Sequence, residues 1–163
     1  MSEIKIIENA LPEETMKKIE DMFFSNTFTW GYSNSNAGND EESYLYHFFY
    51  NMNTPCSPYY AELLPLLTFM KPLSLIGIRA NMYINKNKKC FGGWHNDDWG
   101  NDKLNHTTSI FYVNTNNGET EFKTGETIKS ERNKLIVFPA KLEHRAISQT
   151  DKDRKICINL NYF

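Results

Sequence analysis

SLIGIRANMYI (residues 74–84), TTSIFYVN (107–114), NKLIVFPA (133–140) and RKICINLNYF (154–163) decide how this chain folds. Each is a short run rich in β-branched and aromatic side chains, and polar turns separate the runs. Several alternate apolar and polar positions, as a strand does when only one of its faces enters a core. GETEF (118–122) and HRAISQT (144–150) read the same way. Towards the N-terminus the character changes. Ala10-Leu11-Pro12-Glu13-Glu14 is a helix start, with proline where a missing N–H costs nothing and acids at the positive end of the dipole. Met16, Ile19, Met22 and Phe23 then recur at helical spacing. Residues 25–57 read as a long loop with one short strand around 44–50, and loops of that length often serve as lids or binding segments. A second helix is expected from about 58 to 70, bent or restarted at Pro65. Helices first and strands afterwards predict a mainly β fold with flanking α, a sandwich or barrel whose N-terminal helices pack on one sheet.

A chain of 163 residues is expected to form one domain, 1–163, with a core large enough to need no staples. Aromatics at 14% argue against disorder. A net charge of −2, with Lys and Arg interspersed among acids, gives no support to a nucleic-acid or membrane-surface partner. No apolar run approaches the ~20 residues of a membrane helix. MSEIKIIENALPEE lacks both the basic start and the apolar stretch of a secretion signal, so a cytoplasmic setting is expected. Cys56, Cys90 and Cys157, odd in number and widely spaced, read as free thiols.

Of the four histidines, two stand in suggestive places. Trp94-His95-Asn96-Asp97 sets a histidine and a carboxylate two positions apart, and on a strand such side chains share a face. His144 follows a buried-looking strand and a Pro-Ala turn, and is placed to supply a third ligand from across the sandwich. Two imidazoles and a carboxylate on one face suit non-haem Fe(II), with open positions left opposite. The competing reading of His-x-Asp is a partly exposed pair in a turn. Arg154, ten positions after His144, offers a bidentate clamp for a carboxylate. Its competing reading is a surface arginine paired with Asp151 or Asp153. His47 and His106 are read as hydrogen-bonding or packing residues.

His95-x-Asp97, His144 and Arg154, in that order and spacing, resemble the iron(II)/2-oxoglutarate-dependent dioxygenase superfamily, and within it the prolyl-hydroxylase-like branch. Asn81-Met82-Tyr83 is similar to the strand whose tyrosine contacts the cosubstrate near the metal. Ser109–Asn114 is similar to the Tyr-Leu-Asn strand, with Val113 in place of leucine. Asn117–Phe122 is similar to a Gly-Gly-x-Thr-x-Phe segment, with Gly118 alone where two glycines are common. The resemblance covers residues 75–163 and, more loosely, the first helix.

It implies a double-stranded β-helix, jelly-roll or cupin-like, binding Fe(II), 2-oxoglutarate and O2, with ascorbate as a supporting reductant. It assigns His95, Asp97 and His144 to iron, Arg154 and Tyr112 to the distal carboxylate of the cosubstrate, and Tyr83 to its metal-proximal end. Arg79, Asn81 and Trp99 become candidates for substrate binding. The implied reaction is hydroxylation of an unactivated C–H bond, with 2-oxoglutarate decarboxylated to succinate. Asp97 favours hydroxylation over halogenation, since halogenating relatives lack the carboxylate. A peptidyl proline is the expected target, so a protein or peptide is the expected partner and a small molecule the alternative. The rival functions are a nucleic-acid demethylase of the same superfamily and a non-catalytic barrel that binds a metal or small molecule. Asn81-x-Tyr83 speaks for the demethylase. The acidic balance speaks against it, as does Leu160 where such enzymes place a second arginine.

Overall fold

The computed structural model describes residues 4–39, 42–98 and 105–163. In chain order they form β1 (Lys5–Ile7), α1 (Glu13–Phe24), β2 (Gly31–Ser33), β3 (Tyr44–Asn51), β4 (Thr54–Pro55), a 3₁₀ turn (Tyr60–Leu63) and α2 (Leu64–Met70). There follow β5 (Leu75–Ile84), β6 (Thr107–Tyr112), β7 (Glu119–Phe122), β8 (Thr127–Lys129), β9 (Lys134–Pro139), β10 (His144–Ile147) and β11 (Arg154–Tyr162). The larger sheet runs β1-β9-β6-β11-β5-β3-β2, with β4 on β3, and the smaller runs β10-β7-β8. All the pairings are antiparallel. Two isolated bridges, Phe91 to Ile147 and His95 to His144, lay the chain before Asp97 along the edge of β10. Two sheets face one another, with helices on the outer side of the larger: the double-stranded β-helix that the sequence resemblance implied.

Strand alternation sorts the residues. On β5, Ile78, Ala80 and Met82 join Ile156, Ile158 and Leu160 of β11 and the helix residues Met16, Ile19, Met22 and Phe23 in one core. Each large apolar side chain buried there stabilises the fold by roughly 1.5–3 kcal/mol. The opposite faces turn inward between the sheets. There Tyr83, Ile110, Tyr112, Ile136, Phe138 and Cys157 pack with Phe122 and Ile128 of the smaller sheet. The rest of that inner face is polar, and it forms the site.

The expected strands are all present. β1 and β8, each three residues long, fall below the length at which alternation is readable. The segment 25–57 is less of a loop than expected. The strand around 44–50 is the eight-residue β3 of the main sheet, flanked by β2 and β4. His47 holds the segment together, its Nδ1 against Thr29 O (2.8 Å) and its Nε2 against Ser57 Oγ (2.7 Å). The second helix does restart at Pro65, where the 3₁₀ turn passes into α2. Among the described residues no helix is long and apolar enough to cross a membrane.

The entrance to α1 is fixed by Asn133, which holds φ at 65°. Its amide accepts from Leu11 N (2.9 Å) and donates to Leu11 O (2.7 Å), both buried. Asn133→Ala strands these two groups and puts a Cβ-bearing, non-amide residue in a left-handed conformation. It should cost about 2–4 kcal/mol in urea unfolding, whereas losing the exposed Lys17–Asp21 pair should cost about 0.5 kcal/mol or less.

Candidate metal centre

His95 and His144 bond to one another through their backbones, His95 N to His144 O at 3.1 Å and His144 N to His95 O at 2.8 Å. That pairing brings the rings to 4.5 Å between centroids. Two residues on, Asp97 N donates to Ala140 O (2.9 Å), which fixes the carboxylate on the same face. One ligand atom from each of His95, Asp97 and His144 lies within 4.8 Å of the others. His95 Nε2 is 3.9 Å from Asp97 Oδ1, and His144 Nε2 is 4.0 Å from Asp97 Oδ2. These separations are too long for hydrogen bonds and suit three donors around a central ion.

Both imidazoles are set for ligation. Nδ1 of His95 faces Gly93 O and Nδ1 of His144 faces Leu142 O, each at 3.0 Å, so each ring spends its N–H on a carbonyl and presents the Nε2 lone pair. Burial pushes the His144 imidazole below the usual histidine range, although Asp97 pulls the other way, and keeps it neutral at pH 7. Asp97 Oδ2 is buried without a hydrogen-bond partner. A buried carboxylate oxygen without a partner is costly, and a cation between it and the two Nε2 atoms removes the cost. The residues fit a divalent metal. His106 Nε2 lies 3.2 Å from Asp97 O and so braces the ligand's backbone.

Beyond the triad the inner face narrows to a slot lined by Asn81, Tyr83, Thr120 and Lys155. Lys155 is 1% exposed, and its Nζ donates to Glu119 O (2.7 Å) and Ile147 O (3.0 Å). Burial lowers its pKa to about 8, which leaves it charged at pH 7. A side chain at Gly118 would meet the Lys155 stem at 2.9 Å, so the glycine makes room for the lysine. Tyr112 OH donates to Thr120 Oγ1 (2.7 Å) and turns the threonine's own proton elsewhere. On the other side of the metal ligands, a cleft of about 520 Å³ opens to solvent, and the slot meets it at Asn36, Arg79, His95 and Asn159.

No protein-family model and no curated protein matches the sequence. Solved structures do match. The carbocyclase SnoK of nogalamycin biosynthesis superposes with a TM-score of 0.72 at 10% identity, over 98% of this chain and 78% of that one. A prolyl hydroxylase from Trichoplax adhaerens, in complex with a hypoxia-inducible-factor peptide, gives 0.69 at 14%, over 98% and 83%. The viral collagen prolyl hydroxylase of Paramecium bursaria Chlorella virus 1, in complex with 2-oxoglutarate, gives 0.66 at 13%, over 98% and 94%. The chain has the fold of the 2-oxoglutarate/Fe(II) oxygenases.

Against that oxygenase fold, the residues expected from sequence fall into three groups. His95, Asp97 and His144 are brought together, and Tyr83, Asn81 and Arg79 line the space beside them. Tyr112 lies behind the slot and reaches it through Thr120. Arg154 is not brought to the site: its guanidinium lies 4.8 Å over the Phe24 ring of α1. The reason is parity. On β11, position 154 points with Ile156 and Ile158 towards the helices, and position 155 points inward. Counting ten from His144 therefore selects the neighbour of the inward cation, because the turn between β10 and β11 sets the count and the strand sets the face. Trp99 lies outside the described residues. Lys155, Thr120 and Asn36 were missed. The available signal for Lys155 was a lysine on the same face as Cys157, Asn159 and Asn161, opposite to that of Ile156, Ile158 and Leu160.

Asp97→Ala and His144→Ala should each abolish the rise in melting temperature that Fe(II) gives the protein under anaerobic conditions. His106→Ala keeps all three ligands and should weaken metal affinity about 10- to 100-fold, read by competition with a chelator.

Proposed function

We propose that the chain is an Fe(II)- and 2-oxoglutarate-dependent oxygenase that hydroxylates an unactivated C–H bond. The observation that carries this reading is the pairing of two features in one cavity, a two-histidine, one-carboxylate face and a buried cation at the far end of the slot beside it. A metal site alone fits many chemistries. A metal with a buried lysine beyond it fits a ligand that chelates at one end and carries a carboxylate at the other.

His95, Asp97 and His144 would hold the iron. Bound there, iron and 2-oxoglutarate supply the oxidising chemistry, with O2 consumed and the cosubstrate released as succinate and CO2. The chain's own residues position the cosubstrate. Two of the three Lys155 N–H donors are committed to Glu119 O and Ile147 O, and the third is left for the distal carboxylate. Thr120, with its oxygen already accepting from Tyr112, has its hydroxyl proton to give. Lys155 and Thr120 take the part that the sequence resemblance implied for Arg154 and Tyr112. Asn81 Oδ1 is buried without a partner, and the Tyr83 hydroxyl receives only a long bond, 3.4 Å, from Asn36 Nδ2. The slot measures about 30 Å³, too narrow for a dicarboxylate, so loading it requires its walls to move apart.

The finer reading is that the oxidised carbon belongs to a peptidyl proline. Two prolyl hydroxylases among the structural neighbours support it, and a carbocyclase with the same fold marks how widely substrates vary on this scaffold.

Anaerobic addition of Fe(II) and 2-oxoglutarate should produce a weak metal-to-ligand charge-transfer band. No band in the wild type would sink the assignment. Lys155→Met should raise the 2-oxoglutarate needed for half-saturation roughly 100-fold, the equivalent of about 3 kcal/mol for one charge-assisted bond. Arg154→Met should leave it unchanged. Because the bound carboxylate needs a protonated Lys155, affinity for 2-oxoglutarate should be full below pH 8 and fall as the pH rises past about 8. Lys155→Arg, charged throughout that range, should abolish the decline.

A further inference from the structure

The inner face of the larger sheet carries a second cation, and the roles described so far leave it unused. Arg79 stands on β5 four residues before Tyr83, paired across to Asn159 on β11 and Phe48 on β3. It therefore lies about 13 Å along the strand from the Tyr83–Lys155 rung, on the cleft side of the metal ligands. Its guanidinium is packed against the rings of Tyr44 (5.8 Å) and Phe48 (5.9 Å), which fix its direction. It is half-buried, and among the described residues it has no hydrogen bond and no ion pair. Among the described residues lining the cleft, the one carboxylate is Asp97, a member of the His-Asp-His cluster.

A guanidinium drawn partly out of water, with five donors and no acceptor, is an unbalanced charge until an anion arrives. The surroundings favour one of a particular kind. Thr108 Oγ1 donates to Asn161 Oδ1 at 2.7 Å, which engages the amide oxygen and leaves both N–H groups to offer the cleft. Gly77, facing Asn161 across the ladder, leaves the floor beside them bare, since a Cβ there would meet nothing closer than Tyr50 O at 3.9 Å. One fixed positive charge flanked by neutral amide donors balances a single negative charge, and would leave a phosphate dianion half-compensated close to Asp97.

We propose that the substrate of this site bears a carboxylate, that Arg79 binds it with help from Asn161, and that the oxidised carbon is thereby turned to the metal. The proposal rests on the oxygenase reading above. Lys155 serves the cosubstrate and Arg79 the substrate, two cations on one inner face with the Asn81–Cys157 pair between them.

The test uses the whole protein held anaerobically with Fe(II) and 2-oxoglutarate, and a calorimetric panel of N-acetyl amino acids, including N-acetylproline, each beside its amide. N-acetylated dipeptide amides Pro-Glu and Pro-Gln are added, to tell a side-chain carboxylate from a terminal one. In the wild type at least one acid should bind about tenfold or more tightly than its neutral counterpart. Arg79→Gln should erase that preference while its 2-oxoglutarate charge-transfer band forms at the wild-type concentration. Gly77→Val, whose Cβ is accommodated, should fill the seat and erase the preference too. If no acid in the panel binds more tightly than its neutral counterpart, or if Arg79→Gln loses the band, the proposal is overturned; the second result would make Arg79 a cosubstrate clamp. Failure of the wild-type band itself would overturn the oxygenase reading instead, so the two are told apart.

Discussion

The antiparallel ladder between β5 and β11 is the constraint on which the molecule depends. Its register sets Lys155 opposite Tyr83, Cys157 opposite Asn81, Asn159 opposite Arg79 and Asn161 opposite Gly77, all facing inward. The alternate rungs, Ile156 with Met82 and Ile158 with Ala80, face the helices. A slip of one residue would exchange the two sets, driving Lys155 and Arg79 into an apolar core and exposing isoleucines to the cavity. Burial of the outer face therefore enforces the order of the polar groups inside. The apolar core and the site are two readings of one register.

The candidate metal site is assembled at the edge of the smaller sheet, from His144 of β10 and the segment that bears His95 and Asp97. The chain bearing His95 touches β10 through isolated bridges only. It is held by the reciprocal backbone pair between the two histidines and by Gly92 N on Ala146 O, Gly93 N on Asn36 O and Asp97 N on Ala140 O. Few hydrogen bonds carry three costly side chains, so a bound cation would be part of what keeps this edge of the barrel closed.

Much of this was legible in the sequence. The strand-rich half, the first helix and the convergence of His95, Asp97 and His144 all follow from spacing, because period two and His-x-Asp survive intact in one dimension. The distal cation was not, for a physical reason. Its distance from His144 includes a turn, and turns vary in length freely, whereas its face depends on pairing with Tyr83 across the sheet. Lys155 and Arg154 are indistinguishable by counting and opposite by register. The position of Thr120 was illegible for a related reason: it lines the slot held by a bond from Tyr112 that no local pattern announces. In the segment 25–57 the strand around 44–50 was legible, but the short β2 and β4 beside it were not, being three and two residues long.

Gly92 and Gly93 lie just before the first histidine. Gly93 N donates to Asn36 O at 2.9 Å, and Asn39 Nδ2 donates to Phe91 O at 2.7 Å. A side chain at 93 would strike Ala37 O at 2.0 Å. The turn around Asn36, which forms one wall of the cleft, is thus bolted to the backbone that carries His95. Anything that pushes this wall aside also tugs on His95, so the occupancy of the cleft and the geometry of the His-Asp-His cluster share a mechanical linkage a few atoms long.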